Sequence, residues 1–92
     1  MSQTCARSLK IVNEKGLHAR ASAKFVECVE HFEAQAEVTR DGMSASGDSI
    51  MGLLMLAASK GTTIEVQTSG RDAEQLADAL EALVARRFDE DF

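Results

Sequence analysis

Along the 92 residues the hydrophobic pattern alternates between a period of two and a helical period, and this order of switching constrains the fold most. Leu9 and Ile11 alternate with Ser8 and Lys10, which predicts a first strand with one buried face. From Ala19 to about Phe32 the residues Ser22, Phe25, Val26, Val29 and Phe32 share one helical face, with Arg20, Lys24, Glu27 and His31 opposite. Ala34, Ala36 and Val38 then alternate with Gln35, Glu37 and Thr39, a second half-buried strand. Asp41-Gly42 suits the positive φ angles of a tight hairpin turn, and Met43 and Ala45 start a returning strand that gives out near Gly47. A short apolar helix is expected from about Ser49 to Ala57. Thr62 to Thr68 alternates again, with Ile64 and Val66 inward. Ser69-Gly70-Arg71-Asp72 resembles a capping box. The long helix after it carries Ala73, Leu76, Ala77, Leu80, Leu83 and Val84 in one stripe, and Arg86 and Arg87 sit where a helix end favours cations.

The order is therefore β-α-β-β-α-β-α, an α+β class chain. Pattern alone suggests a ferredoxin-like split βαβ sheet with one extra helix. The length makes one domain, 1–92, whose ends, 1–7 and the acidic 88–92, are expected to fray. A composition 45% hydrophobic and 27% charged fits a soluble globular domain. A net charge of −5 without any basic run argues against a general affinity for nucleic acid. The N-terminal residues lack the apolar stretch of a signal peptide and nothing reaches transmembrane length, so no membrane insertion and a cytoplasmic location are expected. Cys5 and Cys28 read as reduced, structural thiols. Histidines and cysteines at no ligand spacing predict no metal site. No phosphate-binding glycine loop of the P-loop type points to a cofactor.

One stretch breaks a local charge rule. The first turn of a helix presents unpaired N–H groups and partial positive charge, so acids are favoured there. Here His18 stands at the entrance, Arg20 and Lys24 follow, and no acid occurs until Glu27. Amides and cations together suit a bound anion, above all a phosphate, with His18 as a nucleophile facing it.

Gly16-Leu17-His18-Ala19-Arg20 followed by a helix resembles the phosphorylation-site motif of the HPr family, the histidine phosphocarriers of the bacterial phosphotransferase system. Ser49-Ile50-Met51-Gly52 resembles the family's second phosphorylation site, and the likeness runs from Leu9 to about Leu83. Ala21 stands where the family commonly has proline. Alanine is the best helix former, so the turn survives the change. The resemblance implies an open-faced β-sandwich, four antiparallel strands covered on one side by three helices. It implies that His18 accepts a phosphoryl group at Nδ1 from enzyme I, which takes it from phosphoenolpyruvate, and delivers it to enzyme IIA domains. Such a monomeric relay is a phosphoryl carrier more than an enzyme. It implies no cofactor.

Each candidate residue also has a plainer reading. A lone histidine is usually without chemistry; His18 gains its role from the helix entrance and the motif. It must attack while neutral, since imidazolium has no free lone pair, and the positive end of a helix favours that form. Arg20 can hold phosphate oxygens with its planar fork, and Lys24, one turn on, reads as a rim charge for an acidic partner. Ser49 is first a helix N-cap; the resemblance adds regulatory phosphorylation by an HPr kinase/phosphorylase. The helix after it is apolar all round, against the usual single stripe. Ile50, Met51 and Leu54 are therefore expected as an adaptable docking surface, with Leu53 and Leu56 inward. His31 carries no assigned chemistry. Three other readings remain at this point: a nitrogen-branch homologue relaying to regulatory acceptors, a non-catalytic ferredoxin-like ligand-binding module, and a phosphate-sensing adaptor that binds partners without being phosphorylated.

Overall fold

The computed structural model describes residues 3–92. Its elements follow the expected order: β1 (Gln3–Lys10), α1 (Ala19–Glu30), β2 (Ala34–Arg40), β3 (Met43–Ser46), α2 (Ile50–Met55), β4 (Thr63–Gly70) and α3 (Ala73–Ala85). The strands form one antiparallel sheet in the order β1-β4-β2-β3. Each βαβ unit is split by a strand, as pattern alone suggested. The central strands, however, are β4 and β2, whereas a ferredoxin-like sheet has its first and third strands in the middle.

One face of the sheet is apolar. Leu9, Ala36, Val38, Ile64 and Val66 are buried against Phe25, Val26, Val29, Leu53, Leu76, Leu80 and Leu83 from the three helices. The alternate residues, Ser8, Gln35, Glu37, Glu65 and Gln67, lie exposed on the uncovered face. This is the open-faced sandwich expected above, and the period-two alternation is its cause. The hairpin turn also forms as its residues require, with φ of 48° at Asp41 and 80° at Gly42.

Three local expectations are corrected. Residues 3–7 are not frayed: β1 runs from Gln3 in unbroken register with β4, ending at Gln3↔Gly70. Met1 and Ser2 lie outside the described residues. The other end is not frayed either, because Phe88 is fully buried in the core and its neighbours dock on α1. Burial of the Phe88 ring together with the hydrogen bonds of residues 88–92 to Asn13, Glu14, Lys24 and Arg86 offsets the entropy of ordering the five-residue tail. Finally, Ser69 to Asp72 does not form a capping box. Ser69 is held in the ladder between Thr4 and Gln35, while Asp72 receives the Glu33 amide on its carboxylate at 2.9 Å and donates its own N–H to the Glu33 carbonyl at 3.0 Å. Asp72 is the residue before α3 without any side-chain cap bond.

Candidate functional site

The entrance to α1 is set by Gly16. It has φ of +64°, and a Cβ there would run into the backbone of Ala58 and Ser59, so only glycine lets these segments meet. Leu17 then donates its N–H to the Ala58 carbonyl at 2.8 Å, and His18 sits in extended conformation as the N-cap residue of α1. Its carbonyl accepts the first helical bond, from Ser22 N–H at 2.8 Å, while its side chain caps nothing. The first turn contains no acid and no capping side chain. Its amides therefore remain available to a ligand. Ala21 is fully buried and helical, so the position tolerates alanine. Arg20 is exposed and, among the described residues, has no hydrogen-bond or ion-pair partner. The expected group of His18, Arg20 and open amides is thus assembled at one helix end.

The chain's own tail completes the site. Arg87, Phe88 and Asp89 adopt three successive left-handed conformations, φ 60°, 53° and 64°. Each costs about 1–2 kcal/mol in a non-glycine residue, so the turn persists only because its surroundings hold it. Phe88 is the anchor. Lys24 Nζ donates to the Phe88 carbonyl at 2.9 Å and lies 3.6 Å from Asp89, whose carboxylate also accepts from Arg86 at 2.8 Å. Glu14 N–H donates to the Phe92 carbonyl at 2.9 Å. This brings Glu90 over the ring of His18, with its Oε2 bonded to Nε2. Its Oε1 accepts from Asn13 Nδ2 at 3.0 Å, and the same Nδ2 donates to the Gly16 carbonyl at 2.8 Å. Among the described residues, Nδ1 of His18 has no hydrogen-bond partner.

Burial pushes the Glu90 carboxyl up. Hydrogen bonds from Asn13 and His18 and the charges of His18 and Lys15 outweigh it, and its pKa lies below the ordinary carboxylate value. Asp89 is lowered chiefly by its hydrogen bond from Arg86. Burial raises the Cys28 thiol against the charge of Arg86, in keeping with an inert, reduced cysteine.

The second motif lies at the start of α2. Ser49 is its N-cap, and its hydroxyl accepts from Gly52 N–H at 3.0 Å. Along the helix Ile50 and Met51 are exposed and Leu53 and Leu56 are buried, as expected, whereas Leu54 is only half-exposed. Met55, not among the expected docking residues, is 75% exposed, more than any of them.

Residues 5–86 match the family model described as the PTS HPr component phosphorylation site. The phosphocarrier protein HPr of Cupriavidus necator is 45% identical over 84 residues, 91% of this chain and 94% of that one. The chain belongs to the HPr family. A phosphocarrier protein named NPr, from Shewanella violacea, is 40% identical over 91% of this chain and 92% of its own length. The crystal structure of HPr-C-His from Thermoanaerobacter tengcongensis superposes with a TM-score of 0.91 at 33% identity, covering 96% of this chain and 99% of that one. As an HPr, the protein is a phosphocarrier of the phosphotransferase system with the family's open sandwich. Among the described residues no helix is long and apolar enough to cross a membrane, and no group of three ligand side chains could hold a metal ion.

Within this HPr frame, sequence reasoning brought together His18 and Arg20 but passed over Glu90 and Asn13. Lys24, expected at the rim, has an internal partner in the tail. The signal for the missed pair was weak: two aromatics, Phe88 and Phe92, in an otherwise charged terminus, and an asparagine in the loop before the helix.

Proposed function

We propose that His18 accepts a phosphoryl group from phospho-enzyme I, which takes it from phosphoenolpyruvate, and passes it to enzyme IIA domains in the cytoplasm. The observation that carries this reading is a helix entrance without a capping side chain, at which His18 Nδ1 and Arg20 have no partner among the described residues. In the transfer, the Nδ1 lone pair attacks phosphorus as the donor's bond to phosphorus breaks and the donor leaves with that electron pair. The phosphoryl oxygens are received by backbone N–H groups and the Arg20 guanidinium in charge-assisted bonds. The carrier then acts as donor in the same geometry, so no separate substrate pocket is needed. Ile50, Met51 and Met55 form the exposed apolar surface next to the second motif on which partners dock. Phosphorylation of Ser49 by a kinase would place a dianion in that surface at a helix N-terminus, leaving the helix intact while weakening docking.

Incubation with phosphoenolpyruvate and enzyme I, followed by intact mass, should show one acid-labile, base-stable phosphoryl group that His18→Ala lacks. No adduct with several enzyme I homologues would overturn the reading. The likeness to the Shewanella protein named NPr supports a second reading, a nitrogen-branch carrier relaying to regulatory acceptors. Transfer onward to a sugar-branch enzyme IIA in preference to a nitrogen-branch one decides for the first.

A further inference from the structure

We propose that Glu90 is a positioning residue: by holding Nε2 of His18 it reserves Nδ1 as the ring nitrogen open to the phosphoryl donor. This deepens the carrier reading and rests on His18 as the phosphoryl site. A neutral imidazole carries its proton on one nitrogen and its lone pair on the other, and the partner of one nitrogen decides which. An ionised carboxylate only accepts, so the nitrogen facing Glu90 must be the protonated one. The lone pair is then left on Nδ1, which has no partner among the described residues.

The carboxylate is itself held in place. Its side chain is 13% exposed, and its second oxygen is bound by Asn13, which is fully buried. A flipped Asn13 amide would turn its oxygen toward both the carboxylate and the Gly16 carbonyl. The amide therefore keeps Nδ2 on both acceptors, at the expense of a buried Oδ1 with no partner. Phe88 in the core and the Lys24 bond to its carbonyl prevent the tail from sliding. When Nδ1 attacks, the Nε2 proton stays where it is and the ring gains positive charge facing Glu90. That is the arrangement by which a carboxylate orients a reacting histidine.

Phosphoramidate tests this without any partner protein. It phosphorylates imidazoles directly: the new N–P bond forms as its P–N bond breaks, and ammonia leaves with the electron pair. The full chain, Glu90→Ala and Glu90→Gln are treated alike, intact mass gives the number of adducts, and nitrogen and phosphorus NMR assign the ring nitrogen. The unaltered protein should carry phosphate at His18 on Nδ1 alone. Glu90→Ala should lose that selectivity and distribute the adduct over both nitrogens. Glu90→Gln should move the adduct toward Nε2: Asn13 Nδ2 holds the single amide oxygen, which turns the amide NH2 to Nε2 and draws the lone pair there. His31, exposed just beyond the end of α1, serves as the internal reference and should react alike in all three. Asp89→Asn, which weakens the tail's ion pairs but keeps Glu90, should stay selective.

Selective addition in Glu90→Ala, or addition at Nε2 in the unaltered protein, would overturn the proposal. So would loss of selectivity in Asp89→Asn while the Phe88 ring resonances keep their buried shifts, since the tail and Glu90 are then still docked. A protein that reacts selectively with phosphoramidate yet takes nothing from enzyme I would overturn the carrier reading and leave the Glu90 assignment standing.

Discussion

One ring nitrogen of His18 is held by the Glu90 carboxylate, whose pKa lies below the ordinary carboxylate value, while the other has no partner among the described residues. Because the pKa of Glu90 is lower in the folded chain than in the unfolded one, its contribution is fully present above the ordinary carboxylate range. It is lost as pH falls through the lower folded value. The groups facing it are His18, Asn13 and Lys15, and below that value its tie to the ring is gone. The Phe88 ring resonances in proton NMR should therefore keep their buried shifts from neutral pH down through the ordinary carboxylate range and broaden only in stronger acid. Broadening that begins near neutral pH would show that Glu90 does not hold the tail. At this scale His18 and Arg20 were legible, since a helix entrance with cations in place of acids is a defect visible within a few residues. Glu90 was not, because an acidic residue in a charged terminus has many equivalent readings.

Among the elements, α2 shows two physical demands meeting in six residues. Its inner face, Leu53 with Leu56 just beyond it, closes the core, while Met51, 69% exposed, and Met55 face solvent. So short a helix depends on its cap. Ser49→Ala should cost about 1 kcal/mol in denaturant unfolding, since the Gly52 amide loses its acceptor. Ser49→Asp should keep the stability of the unaltered chain, a carboxylate being an equally good cap, yet raise the KM of phosphoryl uptake from enzyme I. An unchanged KM would remove the regulatory role from Ser49. The helix was expected from its all-round apolar sequence, and so were its buried pair and two of its exposed residues. The exposure of Met55 depends on where the chain turns at Leu56 and Ala57, the latter at φ 51°. No periodicity reports that.

For the molecule as a whole, the two ends of the chain meet across the fold. Phe88 fills the core between the helices and thereby delivers Glu90 to a residue 72 positions away. Phe88→Ala should destabilise the domain by about 3 kcal/mol in denaturant unfolding. That is the low end for a buried aromatic, because residues 87–89 are then released from their left-handed conformations. Hydrogen exchange at the Glu14 amide, which bonds the Phe92 carbonyl, should quicken in the same variant. An unchanged rate would mean that the tail docks without its anchor. By itself the sequence determined the order of elements, the buried faces, the hairpin turn and the His18–Arg20 entrance, because each is written in a period or motif spanning fewer than about twenty residues. The tertiary structure decided the strand order, the pairing of β1 from its first described residue, and the tail folded over the active ring. These rest on contacts between distant segments, whose burial outweighs the local tendency of a charged terminus to fray.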